Sequence, residues 1–194
     1  MGFSFSGVFL REWKDGLELV KGTNRKESGL IIRISGLSNG LHEYHFTADP
    51  AEIGLNPGFN KEVTVGIHLD KSARQLYLKT DIGTSGMFEC DRCLEQFELP
   101  IKAAYSVVYL TSEADRGKYP PEEIKLITPE TSSIDLTPDV KEMLMLSVPL
   151  KLLCRDDCRG LCPRCGVNWN RTQCDCTVEA DTSRWGDLKN LLNR

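Results

Sequence analysis

Six of the eight cysteines in this 194-residue chain fall within one short stretch, as Cys154-x3-Cys158-x3-Cys162-x2-Cys165-x8-Cys174-x-Cys176. Residues 159–176 have almost no aliphatic side chains, so hydrophobic burial cannot by itself fold this stretch and a bound metal is the natural substitute for a core. Its strongest element is Leu161-Cys162-Pro163-Arg164-Cys165-Gly166. Two thiolates separated by two residues can both face one tetrahedral ion, with backbone amides turned toward the sulfurs. Gly166 can take the left-handed conformation that lets the chain leave the turn. Cys174 and Cys176 add two sulfurs, so Cys162, Cys165, Cys174 and Cys176 make a complete four-thiolate set.

The other four are Cys90, Cys93, Cys154 and Cys158. Cys90-x-x-Cys93 is a second bidentate clip far upstream, and Cys154 and Cys158 could return to it, tying the C-terminal segment to the rest of the chain. A partition placing Cys154, Cys158, Cys162 and Cys165 around one ion stays open at this level. The expected cofactor is Zn2+, one or two per chain. Structural zinc contributes roughly 10–16 kcal/mol of apparent binding free energy in small peptides, enough to decide whether a short tail folds. Competing readings are weaker. Buried free cysteine behaves as a small hydrophobe, which suits Cys90 better than a tail whose neighbours are Arg155, Asp156, Asp157 and Arg159. A redox Cys-x-x-Cys opens a helix after a strand, whereas Cys90 to Cys93 falls between two strand-like runs. An iron–sulfur cluster also accepts four thiolates, and only the knuckle-like context favours zinc.

Disulfides are the other use of many cysteines, and they need export. Met1 to Leu10 carries no basic leader and soon meets Arg11, Glu12 and Lys14, which does not read as a secretory signal. The apolar runs, such as Met143-Leu144-Met145-Leu146, are too short to span a bilayer. The expectation is a reducing, cytoplasmic compartment with no membrane partner. The formal net charge is −4, with 16 Lys and Arg against 22 Asp and Glu in residues 1–150 and 8 against 6 in residues 151–194. A non-specific nucleic-acid binder is more basic than this, so any RNA contact has to be local and the tail is the place for it.

Upstream of the tail the pattern is that of strands. Leu30–Ile34 reads as a short buried strand. Val63, Val65, Ile67 and Leu69 alternate with polar residues or glycine, as do Leu76, Leu78, Thr80 and Ile82. Phe97, Leu99, Ile101, Ala103, Tyr105, Val107 and Tyr109 form a longer run, and the Cys90–Cys93 step lies on the connection before it. Residues 111–136 are a loop by composition. A helix starts with Thr137 as N-cap and Pro138 at the first position, presents Val140, Met143, Leu144 and Ser147 on one face, and is stopped by Pro149. A terminal helix carries Trp185, Leu188, Leu191 and Leu192 as its apolar stripe. The fold class expected is α+β: an antiparallel sheet or partly closed β-barrel with a packed helix and a zinc-stapled, cysteine-rich C-terminal segment. The division expected is a β-rich body over residues 1–150 and a zinc-binding tail over residues 151–194.

Catalysis finds no residues. Catalytic zinc keeps an open position and usually has histidine in its shell, but His42, His45 and His68 are all far from the tail. There is no phosphate-binding glycine loop, nucleophile elbow or convincing carboxylate pair, so no enzyme and no small-molecule substrate are expected.

Cys90-Asp91-Arg92-Cys93-Leu94-Glu95, the Ile134-Asp135-Leu136 lead-in to a helix, Cys158-Arg159-Gly160-Leu161-Cys162-Pro163-Arg164-Cys165-Gly166, then Asn170 and Cys174-Asp175-Cys176, closely resemble the YceD family. These are the bacterial and plastid large ribosomal RNA subunit accumulation proteins. The resemblance runs over roughly two thirds of the chain. It implies a role in accumulation of 23S ribosomal RNA and so in large-subunit biogenesis, with no established catalytic activity to carry over. Two departures stand out: Trp169-Asn170 where the family commonly has Leu-Asn, and Asp181-Thr182-Ser183-Arg184 in place of Asp-Pro-Arg. Under this resemblance Arg155, Arg159, Arg164 and Arg171, with Trp169 among them, are candidate contacts to ribosomal RNA or a large-subunit assembly intermediate. The competing reading has Trp169 covering the zinc site and the arginines as solubilising charge. A basic ribosomal protein or assembly factor is a further candidate partner, suited to the acidic body. A thiol oxidoreductase would require an exposed, low-pKa Cys90 or Cys93.

Overall fold

The structure is a computed structural model and describes residues 29–118 and 120–176. The expected terminal helix at Trp185, Leu188, Leu191 and Leu192 lies outside the described residues, as does the part before residue 29 of residues 3–35, whose sequence reads as mixed and strand-forming. In chain order the elements are β1 (Ile31–Arg33), β2 (Gly40–Ala48), β3 (Val63–Lys71), β4 (Gln75–Glu89), β5 (Gln96–Leu110), two 3-10 turns (Glu113–Lys118 and Pro121–Glu123), β6 (Ile124–Leu126), β7 (Ser133–Asp135) and α1 (Thr137–Leu146).

The main sheet has the order β2-β3-β4-β5-β6, and a separate two-stranded ribbon pairs β1 with β7. The first four strands of the main sheet are antiparallel neighbours, while β6 lies parallel to β5. Parallel neighbours need a crossover of about a dozen residues, which residues 111–123 supply. The sheet is open, with β2 and β6 as its edges, so the partly closed barrel is not realised. Only three residues of β6 pair with β5, too few to carry the sheet round to β2.

The alternating residues face one core. Val63, Val65, Ile67 and Leu69 of β3, Leu76, Leu78 and Ile82 of β4, and Ile101, Val107 and Tyr109 of β5 are buried there with Val140 and Leu144 of α1. Leu30, Ile32 and Ile34 along the first strand, and Ile134 and Leu136 beside it, complete that core. The start of α1 differs by one residue from the expectation. Leu136 is the N-cap, and Thr137 is the first helical residue. The Thr137 hydroxyl accepts the Leu30 N–H at 3.3 Å, while the Thr137 N–H donates to Asp135 Oδ1 at 2.9 Å. The helix ends at Leu146, where the Ser147 hydroxyl and N–H both turn back to the Met143 carbonyl, before Pro149 is reached.

What positions the cysteines is the β4–β5 hairpin. Its strands pair without interruption from Gln75↔Leu110 to Glu89↔Gln96, whereas β3 covers β4 only as far as Gly83. The outer part of the hairpin is braced by the loop after β2. Phe59 bridges to Gly86, the Met87 N–H donates to the Gly58 carbonyl at 2.8 Å, and Phe59 meets Phe88 edge-to-face at 5.8 Å. The tip of this braced arm is the Cys90–Glu95 turn.

Candidate metal centres

The two Cys-x-x-Cys turns have the same backbone. The Cys90 N–H donates to the Glu95 carbonyl and the Leu94 N–H to the Cys90 carbonyl, both at 2.9 Å. The Cys162 N–H donates to the Val167 carbonyl at 2.8 Å and the Gly166 N–H to the Cys162 carbonyl at 2.9 Å. Each turn leaves through a left-handed residue, Leu94 at φ +59° and Gly166 at φ +73°. Gly166 fills the role its side-chain-free backbone suits, and Leu94 occupies the same position with a side chain.

The eight sulfurs gather into two groups of four. Those of Cys90, Cys93, Cys154 and Cys158 lie within 4.8 Å of one another, as do those of Cys162, Cys165, Cys174 and Cys176. Cys154 and Cys158 therefore belong with the hairpin tip, not with Cys162 and Cys165. In the first group the Cys90–Cys158 and Cys93–Cys154 sulfur pairs are both 3.7 Å apart. Metal–sulfur bonds of ~2.3 Å at a tetrahedral ion such as zinc place neighbouring sulfurs ~3.8 Å apart, so the donor set fits one such ion. The group is largely buried, against Phe97, Leu153 and Leu161. The second group is shallower, with Cys162 buried, Cys174 and Cys176 half-buried and Cys165 exposed.

The electrostatics of the metal-free thiols show the same fit. Burial pushes the Cys90 thiol up, but the backbone amides of Cys154, Arg92 and Cys93 outweigh it and hold it at about 6. Cys158 is opposed by burial too, and the Asn170 carboxamide and Gly160 amide lower it. Burial and the neighbouring sulfurs push Cys154 up to about 12. In the second group the Cys165 amide, opposed by burial and joined by the Arg164 amide, lowers Cys162 to about 6, whereas contact with Cys165 and burial raise Cys176 to about 12. Thiolates this close cannot all ionise beside one another without a cation between them, and a divalent ion is what would remove the conflict.

The tail is clasped to the hairpin tip by residues inside the first turn. Asp91 makes two bonds to Leu152: its N–H donates to the Leu152 carbonyl at 2.8 Å and its Oδ2 accepts the Leu152 N–H at 2.7 Å. Arg92 Nη1 donates to the Cys158 carbonyl at 2.7 Å, and the Arg92 carbonyl accepts the Leu161 N–H at 3.1 Å. Gly160, at φ +77°, passes so close that a Cβ there would stand 3.1 Å from the Arg92 carbonyl oxygen. Arg171 Nε pairs with Glu95 Oε1 at 2.6 Å.

Of the five residues expected to meet RNA or a partner, Arg155, Arg159 and Arg164 are exposed, with Arg155 paired to Asp157 at 3.4 Å. Arg171 is the one that clips the tail to Glu95. Trp169 is half-buried, and its indole Nε1–H donates to Cys174 Sγ at 3.4 Å. Its neighbour Asn170 donates through Nδ2 to Cys158 Sγ at 3.3 Å. Sequence reasoning did not assign site roles to Arg92, Asp91 or Asn170. All three sit inside or beside the cysteine motifs and among the residues that carry the family resemblance, and those were the signals available. The three histidines are remote: His68 pairs with Glu43 and His42 reaches the Ser38 carbonyl, both on the sheet.

A family model described as large ribosomal RNA subunit accumulation protein YceD matches residues 78–192, which takes in both cysteine groups. Residues of this chain are 33% identical over 63 positions to a chloroplastic large ribosomal RNA subunit accumulation protein YCED homolog of Arabidopsis thaliana. That match covers 32% of this chain and 20% of the relative. Uncharacterized proteins of Mycobacterium bovis and Mycobacterium tuberculosis are 28% identical over 145 residues, covering 71% of this chain and 68% of theirs. No solved structure matches the chain. Among the described residues, no helix is long and apolar enough to cross a membrane.

Proposed function

This chain belongs to the YceD family of large ribosomal RNA subunit accumulation proteins, and from that premise we propose that it is a non-catalytic, zinc-stapled factor supporting 23S ribosomal RNA accumulation and large-subunit biogenesis. The observation that carries the metal part of this reading is the 3.7 Å spacing of sulfurs brought from residues 61 and 68 positions apart. Cys90, Cys93, Cys154 and Cys158 hold one ion, and Cys162, Cys165, Cys174 and Cys176 hold the other. Zinc with four thiolates supplies cross-links and leaves no open position for water or substrate, which is the structural and not the catalytic use of the metal.

The chain's own residues then make a rigid display. The hairpin tip and tail form one body through Asp91, Arg92 and Arg171, and Arg155, Arg159 and Arg164 project from it as guanidiniums suited to phosphate. RNA bound there is ribosomal RNA or a large-subunit assembly intermediate, in the cytoplasm. The test is a triple Arg155→Ala, Arg159→Ala, Arg164→Ala variant captured from cells beside the wild type. Ribosomal RNA lost from the variant, and lost from wild type on nuclease treatment, supports direct contact. RNA bound equally by both overturns it.

A second reading rests on the acidic body, with 22 Asp and Glu against 16 Lys and Arg over residues 1–150. That surface suits a basic ribosomal protein, and salt-sensitive capture of one that survives nuclease would favour it.

A further inference from the structure

Trp169 and Asn170 are adjacent in the chain, yet each donates to a sulfur of a different group: Trp169 Nε1 to Cys174 and Asn170 Nδ2 to Cys158. On this basis we propose that the two centres load as a coupled pair, the Cys162–Cys176 centre first, with Asn170 as the positioning residue that transmits its occupancy to the Cys90–Cys158 centre. The inference rests on the metal-binding reading and deepens it.

The path is short and continuous. The Asn168 Oδ1 accepts both the Asn170 N–H at 2.9 Å and Asn170 Nδ2 at 2.8 Å, which fixes the carboxamide. Asn170 Oδ1 in turn accepts the Arg159 N–H at 2.8 Å, one residue beyond Cys158. What holds residues 168–170 in place is the turn at Cys162. Leu161 bridges to Asn168, the Trp169 N–H reaches the Gly160 carbonyl at 2.9 Å, and the Cys162 N–H reaches Val167. From Lys151 to Cys176 there is no helix, and Leu161↔Asn168 is the sole β-bridge. The turn's shape therefore depends on its four sulfurs being held together. Without an ion there, Asn170 is no longer held against Cys158.

The order follows from the chain. All four ligands of the Cys162–Cys176 centre lie within one short segment, and the ion closes only small loops. The other centre joins a hairpin tip to a segment 61 and 68 residues further along. Its closure is harder for a free tail and easier for one already folded around its own ion. Donors that orient or stabilise a ligand commonly change metal affinity 10–100-fold, and binding linkage makes the effect reciprocal.

The test is a double-variant cycle on the full chain, stripped of metal under reducing conditions and titrated with Zn2+ against a competing chelator, with occupancy read by native mass spectrometry. The Cys165→Ser/Cys176→Ser variant disables the local centre and changes no residue that Asn170 touches. Asn170→Ala is expected to weaken the second zinc by roughly 10–100-fold in the wild-type background and to change nothing further in the Cys165→Ser/Cys176→Ser background. A loss from Asn170→Ala of equal size in both backgrounds, or in neither, overturns the coupling while leaving two-zinc binding intact. Wild type that binds no zinc overturns the metal reading instead. The circular dichroism of the sheet, which none of these residues enters, reports whether each variant is folded.

Discussion

At the scale of single residues, the tail is set by a few positions where backbone and sulfur meet. Gly160 is one. Gly160→Ala puts a Cβ 3.1 Å from the Arg92 carbonyl at a left-handed φ, and a cost of about 1–2 kcal/mol is expected from the conformation alone. Urea unfolding of the metal-loaded variant measures it, and an unchanged midpoint would contradict the close docking of tail on tip. Protons are the second residue-level readout. Metal-free Cys90 is lowered to about 6 and is ionised at pH 7, Cys158 is lowered as well, and Cys93 and Cys154 are raised and keep their protons. Loading that centre should release at least the protons of Cys93 and Cys154, detectable with a pH indicator in weak buffer. As pH falls through about 6, Cys90 and Cys162 gain protons as well, more must be displaced, and metal affinity falls with acid. The cysteine pattern was legible because ligand geometry imposes a spacing. The side-chain donors around the sulfurs were not, because one hydrogen bond from Asn170 to Cys158 Sγ, or from Arg92 to the Cys158 carbonyl, leaves no periodic trace in a sequence.

At the scale of elements, the long β4–β5 hairpin is what carries the first turn out to meet the tail. Its brace depends on Gly86, where a Cβ would fall 2.5 Å from the Gly58 carbonyl oxygen. Gly86→Ala is expected to cost about 1–3 kcal/mol and to weaken zinc at Cys90–Cys158 more than at Cys162–Cys176, since only the former is carried by the arm. Thermal melting with zinc titration checks both effects. β3, β4 and β5 were readable because Val63 to Leu69, Leu76 to Ile82 and Phe97 to Tyr109 place side chains of one kind on one face. β2 was not, because its apolar residues fall on opposite faces: Leu41 points out while Tyr44 and Phe46 point in. The parallel β6 was hidden too, since three residues carry no period and their partner is chosen by the crossover. At α1 the cap was placed one residue late because Thr137 has the chemistry of a cap but spends its hydroxyl on Leu30.

At the scale of the whole molecule, two modes of stabilisation divide the described chain. The body stands on a hydrophobic core between sheet and helix, and the tail stands on sulfur and the hydrogen bonds around it. A chelator should therefore leave the sheet folded while loosening the backbone at the already exposed Arg155, Arg159, Arg164 and Arg171 so that trypsin can cut there. Cleavage at those sites in metal-free but not metal-loaded protein is the expected pattern, and equal resistance in both would show that the tail does not need its ions. The class of fold was legible from the strand runs. Whether the sheet closed was not, because closure depends on which edges meet, and nothing in the alternation of β2 or β6 encodes that.

The central claim is that eight cysteines hold two ions, and metal content per chain tests it most directly. The protein is purified without added zinc and measured by elemental analysis together with native mass spectrometry. Two zincs per chain, falling to one in Cys154→Ser and to no more than one in Cys162→Ser, is the predicted result. No metal in freshly prepared, reduced and folded protein would contradict the account.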